Sequence, residues 1–398
     1  MTAGPRFAGR FLGSIALGAM AFTVYGSLVP FDFHTRDADD ALGAFKWAMT
    51  HRWWFESRSD AIANVMLGMP LGFGLLGFLR SDRTGAAGDA VAGLAVLPVS
   101  LGLAAAVEFA QLYVPERTTS GSDVLCQGVG AILGMAVWIV CGRWLIAQAE
   151  AIWSGADASG RLLIGYLLLL AFVQLLPMDL SASPRDLYRK LRDDVVYVPF
   201  SEVNSANAWD RAARLLQVFG LFLPVGLLGA RSASKGLFIA LVLAVCTEGL
   251  QLIVQSRVPS ATDALVGGCG VFAGWRLAKL KLPGAALYTV WLSALLAISW
   301  QPFAEGPTPA FDWMPGLPLE RGHPLFTLEE MITKVVLFAL GGALAKSLPR
   351  AALGGAIVAG LCEWGQTVFA GHTPSITDVI LGGTGAAIGC MIQRCVET

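Results

Sequence analysis

Long uncharged apolar runs alternate with shorter polar segments along the whole chain. Such runs include Phe11–Val29, Ala61–Leu79, Leu162–Leu176, Gly236–Cys246, Leu282–Trp300 and Ala351–Cys362. A helix that crosses the hydrocarbon core of a bilayer needs about 20 such residues. The longer runs therefore predict membrane-spanning helices, and we assign the shorter ones as spans too.

One polar constellation occurs three times, each time within apolar sequence. The first copy consists of Glu108, Gln111, Arg117, Ser120, Asp123, Gly128 and Gly130. The second copy consists of Glu248, Gln251, Arg257, Ser260, Asp263, Gly268 and Gly270. The third copy consists of Glu363, Gln366, His372, Ser375, Asp378, Gly383 and Gly385. Because no insertion or deletion separates the copies, they indicate one structural unit used three times.

Each copy lies near the end of a segment that contains four apolar spans. We therefore predict three units, 1–150, 151–281 and 282–398, with about twelve spans in total. The first span of each unit ends near a proline, which is Pro30, Pro177 or Pro302. This shared ending favours a first span over a cleaved signal peptide at the N-terminus. An even number of spans gives parallel repeats, so the predicted fold is an all-α polytopic membrane helix bundle of three parallel four-helix repeats.

Composition supports the membrane assignment and narrows the chemistry. The 398 residues are 55% hydrophobic and 14% charged, whereas an ordinary soluble domain has about 25% charged residues. A net charge of −1 without a long basic run gives no reason to expect nucleic acid. The seven cysteines form no C-x-x-C pair, which argues against a disulfide framework and a zinc site. The sequence predicts no cofactor and no metal.

Basic residues predict the orientation. They are concentrated in short segments between spans, with Arg80, Arg83, Arg143 and Arg276 among them. Such density near span ends marks the cytoplasmic side. We therefore expect a multi-pass protein of the cytoplasmic (inner) membrane with both termini in the cytoplasm and the three constellations facing outward.

The Glu-x-x-Gln pair of each constellation admits two roles. Residues three apart share a helix face, and the Glu lies about two turns before the following loop. A carboxylate inside a membrane is costly and needs a partner, which suggests the basic residue nine positions later. A structural clamp between Glu108 and Arg117 is the simpler hypothesis. Ligand binding is the alternative, because three sets of acid, amide and base would open onto one surface.

The residues after the basic position predict a helix start. Ser120-x-x-Asp123 and its two counterparts resemble capping boxes in which Ser accepts a hydrogen bond from the backbone at Asp. The glycines that follow are typical of close helix packing, and membrane burial makes a phosphate-binding loop a poor explanation.

At the level of these motifs, the chain resembles the VanZ-like family of bacterial membrane proteins. The residues that carry the resemblance in the first unit are Asn64, Pro70-Leu71-Gly72, Glu108-x-x-Gln111, Arg117, Asp123 and Gly128-x-Gly130. The second unit matches through Pro224-x-Gly226, Glu248-x-x-Gln251, Arg257 and Asp263, and the third through Glu363-x-x-Gln366 and Asp378. Departures from the family pattern are Gln127, Gly267, Val218, Thr333 and His372.

The resemblance implies a role at the cell envelope. The family is named for a protein that lowers susceptibility to the lipoglycopeptide teicoplanin, and no settled reaction is attached to it. We expect a non-enzymatic protein that contacts membrane lipids and binds an envelope lipid, a lipid-linked glycan or a glycopeptide. An enzyme acting on a lipid-linked substrate and a transporter are the alternatives. The first copy is closest to the family pattern, so we expect it to carry the ligand-dependent activity and the third copy to be structural.

Overall fold

The computed structural model describes most of the chain. The described residues are 5–28, 33–53, 58–83, 85–115, 117–176, 184–203, 208–231, 246, 249–304, 310–315, 324–369 and 372–397. Regular structure within these ranges is helical, and the only β-type pairing there consists of two isolated parallel bridges. The prediction of an all-α membrane helix bundle is confirmed. Two compact parts are formed, one by residues 5–155 and the other by residues 156–176 and 184–397.

The first part contains the first copy. Its helices are α1 (Pro5–Leu28), α2 (Ala38–His51), α3 (Arg58–Arg80), α4 (Ala86–Gln111), α5 (Gly121–Val137) and α6 (Arg143–Gly155). A single π-helical turn, Trp138–Gly142, joins α5 to α6, so the two form one continuous rod. The core of this part surrounds Trp138, which is 1% exposed and packs with Leu12 and Leu76.

The second part contains the second and third copies. Its helices are α7 (Ala158–Leu175), α8 (Pro184–Arg189), α9 (Ala208–Arg231), α10 (Ala261–Leu277), α11 (Gly284–Trp300), α12 (Pro324–Gly342), α13 (Leu348–Gln366) and α14 (Ile376–Glu397). At the second copy, a 3₁₀ turn, Gln251–Ile253, follows helical residues 249 and 250. At the first and third copies, the corresponding glutamine is the last residue of a long helix. Glu248 lies outside the described residues.

Seven helices in the described ranges are long and apolar enough to cross a bilayer. They are Phe7–Leu28, Asp60–Arg80, Ala87–Gln111, Gly121–Gly155, Ala158–Leu175, Ala208–Arg231 and Ile376–Glu397. The apolar helix Gly284–Trp300 has 17 residues, and α12 carries three charged residues in its middle. The predicted span around Gly236–Cys246 lies almost wholly outside the described residues. The protein is therefore a multi-pass membrane protein, while the total of twelve spans stays a prediction.

Glycines bring the second and fourth helices of each predicted unit into backbone contact. A Cβ atom added at Gly130, Gly270 or Gly385 would overlap a backbone carbonyl of the helix packed against it. Those carbonyls belong to Val65 on α3, Phe219 on α9 and Val335 on α12. For these three positions the predicted packing role is confirmed, because only glycine permits this close an approach. The contact holds the fourth helix of each unit against the second, near the end of the fourth helix where the constellation lies.

A buried ion pair holds the opposite end of α4. Asp89 is fully buried, and its carboxylate lies 2.8 Å from Arg80 Nε and 2.9 Å from Arg143 Nη1. The guanidinium of Arg143 also lies over the ring of Trp138, 5.4 Å from its centroid. The two arginines thus join α3 and α6 to the start of α4, the helix that carries Glu108 at its other end.

Candidate functional site

Each copy begins its fourth helix with the same cap. The side-chain oxygens of Ser120, Ser260 and Ser375 accept from the backbone N–H two residues later, at 3.2, 3.1 and 3.0 Å. The predicted helix starts and serine caps are confirmed. The expected donor was wrong, because the hydroxyl reaches the second helical N–H and not that of the aspartate. This is one of the two ordinary N-cap arrangements.

A glutamate from the preceding helix caps the same turn. Glu108 Oε2 accepts from the backbone N–H of Ser120 at 2.8 Å, and Glu363 Oε2 accepts from Ser375 at 2.8 Å. Both side chains are deeply buried, with Glu108 1% and Glu363 3% exposed. A carboxylate is favourable here, because the N-terminus of a helix presents unpaired N–H groups and a partial positive charge. The glutamate thus takes the part that a local acidic residue has in a capping box.

The connection after the first span supplies a third bond to this turn. The N–H groups of Gly121, Ala261 and Ile376 donate to backbone carbonyls at 3.1, 2.8 and 2.9 Å. The acceptors are Arg52, Val196 and Asp312. Three successive N–H groups of the fourth helix are therefore satisfied in the first and third copies. The sequence did not reveal these three acceptor residues, because their spacing and type differ between copies and the contact is made by backbone atoms.

The basic residue of each copy binds the end of the first span. Arg117 Nη2 donates to Gly26 O at 3.2 Å, and Arg257 donates to Leu176 O at 3.0 Å. His372 Nε2 lies 2.5 Å from Gln301 O. Helix C-termini leave carbonyl groups unpaired and favour cations, which explains this choice. The predicted ion pairs of Glu108 with Arg117 and of Glu363 with His372 are wrong within the described residues. Each member instead binds a different helix end.

The glutamines differ between copies. Gln111 Nε2 donates to Ser27 O at 3.2 Å, three residues before Pro30. Gln366 is 8% exposed, and its amide makes no hydrogen bond with another described residue. Ser299, which occupies the matching place before Pro302, lines the same space as Gln366. The amide nitrogen is therefore bonded in the first copy, although Gln111 Oε1 is buried without a partner in the described part of the chain. In the third copy the whole amide is left open. In the second copy, Gln251 is 2% exposed, and its Oε1 has no hydrogen-bond partner in the described part of the chain.

The aspartates of the second and third copies pair with cations on the second helix of their unit. Asp263 lies 3.0 Å from Arg214 Nη2, and Asp378 lies 2.6 Å from Lys334 Nζ. In the first copy, Asp123 lies in the first turn of α5 and is half-buried. Lys334 was not among the candidate residues predicted from the sequence. The signal in the sequence was a lysine inside an apolar helix, because such a lysine normally pairs with a buried carboxylate.

The third copy surrounds a cavity of about 490 Å³. All four of its candidate residues line this space: Glu363, Gln366, His372 and Asp378. Further polar groups come from α11, α12 and α9, namely Ser299, Gln301, Glu329, Glu330, Lys334 and Gln217. The volume falls in the range of about 300–1,000 Å³ that is common for small-molecule sites. The structure therefore brings the constellation of the third copy together around open space.

An ion pair joins the second copy to this cavity. Arg257 Nη2 lies 2.5 Å from Glu329 Oε2, and the two side chains are 11% and 24% exposed. Glu329 on α12 and Arg214 on α9 occupy matching positions, because each lies at the same distance in sequence before the matching glycine of its helix, Gly341 or Gly226. The basic residue of one copy thus neutralises an acidic residue of the next.

The first copy has its own polar contact between helices. Gln127 Nε2 donates to Asn64 Oδ1 at 3.0 Å, between α5 and α3. The matching residues are Val218 and Gly267 in the second unit, and Thr333 and Gly382 in the third. Asn64 and Gln127 are both buried, so the bond stabilises the packing of two helices. No group of three or more His, Cys, Asp or Glu residues with metal-binding geometry occurs in the described ranges.

Fold and site together define a class: a multi-pass helical membrane protein built from repeated units with a polar capping motif at one end. A family model described as VanZ/LLP1 matches residues 14–142 and 163–282, which is more than half of the chain. The chain belongs to this family, and the resemblance seen in the sequence is confirmed. The two matched segments fall within or close to the predicted first and second units. No curated protein and no solved structure gives a significant match.

Proposed function

We propose that this VanZ/LLP1 family protein acts without catalysis at the cell envelope, by binding the polar group of an envelope lipid or lipid-linked glycan. The observation that carries the proposal is the cavity of the third copy, which Glu363, Gln366, His372 and Asp378 line. Buried polar groups normally have hydrogen-bond partners, so an open, buried amide such as Gln366 favours a ligand. A lipid is a suitable source, because it reaches an intramembrane site from the bilayer.

The proposal includes a topology of three units, 1–150, 151–281 and 282–398, in the cytoplasmic membrane. Both termini would lie in the cytoplasm, and the cavity would open toward the outer face. The support is the density of basic residues at the short connections, for example at Arg80 and Arg83. A single cysteine at Asp39 in a cysteine-free background should react with an impermeant maleimide added to whole cells. A cysteine at Asp82 should react only after permeabilisation, and labelling of Asp82 from outside would reverse the topology.

Binding can be tested on lipids that remain with the protein. The full chain is extracted into polymer nanodiscs, and the retained lipids are identified by mass spectrometry. We expect one headgroup or glycan class to be enriched over the bulk membrane and to be lost in Gln366→Leu, which removes the open amide at similar volume. Glu108→Gln in the first copy is the matched control, because glutamine can still accept from Ser120. Equal lipid profiles for wild type and Gln366→Leu would contradict the proposal.

A phenotype follows from the same site. When the chain is expressed in a susceptible bacterium, we expect lower susceptibility to a lipoglycopeptide, and loss of that effect in Gln366→Leu at equal membrane abundance. Lipoglycopeptides act on lipid-anchored cell-wall precursors at the outer face, so a protein that binds such a group could mask it. An unchanged effect in Gln366→Leu would separate any susceptibility phenotype from the cavity.

A further inference from the structure

The cavity of the third copy holds more acidic than basic groups. Its lining includes four carboxyl groups, those of Glu329, Glu330, Glu363 and Asp378, and one amine, that of Lys334. Arg257 adds a second cation from outside the lining by pairing with Glu329. Counted as fully ionised side chains, four negative charges therefore face two positive charges, with His372 as the remaining titratable group. A ligand with positive charge would correct this imbalance.

Both cations already have partners. Lys334 Nζ lies 3.0 Å from Glu330 Oε1 and 2.6 Å from Asp378 Oδ2, and it lies 28% exposed. The guanidinium of Arg257 also donates to carbonyls at the end of α7, so it is held on both sides. These contacts leave little positive charge to attract an anion. A phosphate or carboxylate inside the cavity would instead meet several carboxylates at short range.

Glu363 forms no ion pair within contact distance among the described residues, and Lys334, which pairs with Asp378 and Glu330, acts on it only at longer range. The N–H of Ser375 is its only hydrogen-bond partner there, although Glu363 is only 3% exposed. A carboxylate in a membrane-embedded site normally faces a partner, because desolvation without compensation is costly. In the first copy the amide nitrogen of the neighbouring Gln111 is bonded to α1.

Two amide groups beside Glu363 present unused hydrogen-bonding capacity. Gln301 Oε1 is buried without a partner in the described part of the protein, and the amide of Gln366 makes no bond there. Both line the cavity, as does the hydroxyl of Ser299. Carbonyl oxygens and a carboxylate together suit a charged group that donates several hydrogen bonds at once. An ammonium group has three donors and no acceptor.

We propose that the cavity binds the primary ammonium group of its ligand, through Glu363 with Gln301 and Gln366. This inference rests on the proposed function and names the group that the site recognises. Two sources present such a group at a bacterial membrane surface: an amino sugar of a lipid-linked glycan and the ethanolamine headgroup of a phospholipid. For the phospholipid, only the ammonium would enter, and the phosphate would stay at the mouth.

The experiment measures binding to the full chain in nanodiscs made of phosphatidylglycerol. D-glucosamine and D-glucose are titrated by isothermal calorimetry, because the two sugars share a ring and differ at one substituent. In a second arm, nanodiscs contain phosphatidylethanolamine or phosphatidylcholine, and retained lipid is counted by native mass spectrometry. Choline carries the charge but has no N–H donor, so it separates charge attraction from hydrogen bonding.

We expect an ammonium ligand to bind at least about tenfold more tightly than its matched analogue, because a charge-assisted hydrogen bond in a partly desolvated site is strong. Glu363→Gln should lose about tenfold in affinity, whereas Glu108→Gln should bind as the wild type does. Preference in the sugar arm assigns an amino sugar, and preference in the lipid arm assigns ethanolamine. If Glu363→Gln does not fold, Glu330→Gln and Gln366→Leu take its place in the binding measurement. Both residues line the cavity, and neither makes the capping contact.

Two outcomes would overturn the inference, and they differ in what they leave standing. Equal binding of glucosamine and glucose, or of ethanolamine and choline lipids, with loss in Gln366→Leu, rejects the ammonium group but retains headgroup binding at the cavity. Absence of cavity-dependent binding in both arms rejects the proposed function together with the inference.

Discussion

The first and third copies share one backbone arrangement and use their side chains differently. In both, a glutamate and a serine cap the first turn of the fourth helix. In the first copy the glutamine and the arginine are also bonded to α1. In the third copy a shorter histidine stands in place of the arginine, the glutamine is open, and a cavity lies between them. The comparison shows that a repeated motif can be bonded to neighbouring helices in one place and line a cavity in another.

This comparison revises the ranking that the sequence suggested. The first copy, which is closest to the family pattern, was expected to carry ligand-dependent activity, and the third was expected to be structural. The cavity favours the opposite assignment. In the first copy the arginine and the amide nitrogen of Gln111 are bonded to α1, whereas in the third copy the whole amide of Gln366 faces a cavity. Similarity to a motif and availability of a site are therefore separate properties.

Loss of the lysine of the third copy should have the largest effect on stability. Lys334→Met removes the cation that Asp378 and Glu330 share. Breaking a fully buried pair costs about 3–5 kcal/mol, and partial exposure reduces this to about 2–3 kcal/mol here. The free energy of unfolding can be followed by circular dichroism during denaturant titration of the purified protein. The double variant Lys334→Met/Asp378→Asn should recover part of the loss, and a strictly additive double variant would show that the pair is not coupled.

Loss of the glutamate cap should be the next largest effect and should be similar in both copies. Glu108→Ala leaves the N–H of Ser120 buried without its acceptor, at a cost of about 1–3 kcal/mol. Glu108→Gln keeps an acceptor and should cost clearly less. The same pair of changes at Glu363 should give the same order in stability, measured by the same titration. If Glu108→Gln destabilises as much as Glu108→Ala, the charge and not the cap is what the fold requires.

The glutamines should separate the copies. Gln111→Leu removes the bond to Ser27 and should cost about 1 kcal/mol, whereas Gln366→Leu should be nearly neutral for stability. The melting temperatures of the two variants in one detergent, measured side by side with the wild type, provide the comparison. A larger decrease in melting temperature for Gln366→Leu than for Gln111→Leu would mean that Gln366 is a structural residue. It would contradict the assignment of Gln366 to an open site.

Restoring the family pattern at the third copy should change stability least and binding most. His372→Arg places a longer cation beside Glu363, so it should fill part of the cavity and supply the missing positive charge. We expect a change in unfolding free energy within about 0.5 kcal/mol, as for many substitutions at partly exposed sites. Ligand retention in nanodiscs should fall to the level of Gln366→Leu. Arg117→His in the first copy is the matched control and should leave ligand retention unchanged.

Much of the local structure followed from the sequence alone. The apolar run Leu162–Leu176 predicted the helix Ala158–Leu175, and the serine of each copy predicted the start of the next helix. The spacing of Gly130, Gly270 and Gly385 predicted close helix packing, and the exact repetition predicted a common unit. These features depend on interactions between residues near in sequence or on the apolar character of a whole segment. Both can be recognised in a single sequence.

Only the tertiary structure decided which polar groups meet. The sequence suggested that Glu108 pairs with Arg117, because opposite charges nine residues apart seemed the nearest partners. In the folded protein each side chain reaches a helix end of opposite polarity, one at the start of α5 and the other at the end of α1. Unpaired N–H and C=O groups at helix ends are invisible in a pattern of side chains, yet in a membrane protein they must be satisfied internally. The cavity likewise depends on the folded arrangement: Gln111 is bonded to the end of α1, whereas Gln366 makes no hydrogen bond with a described residue and lines the open space.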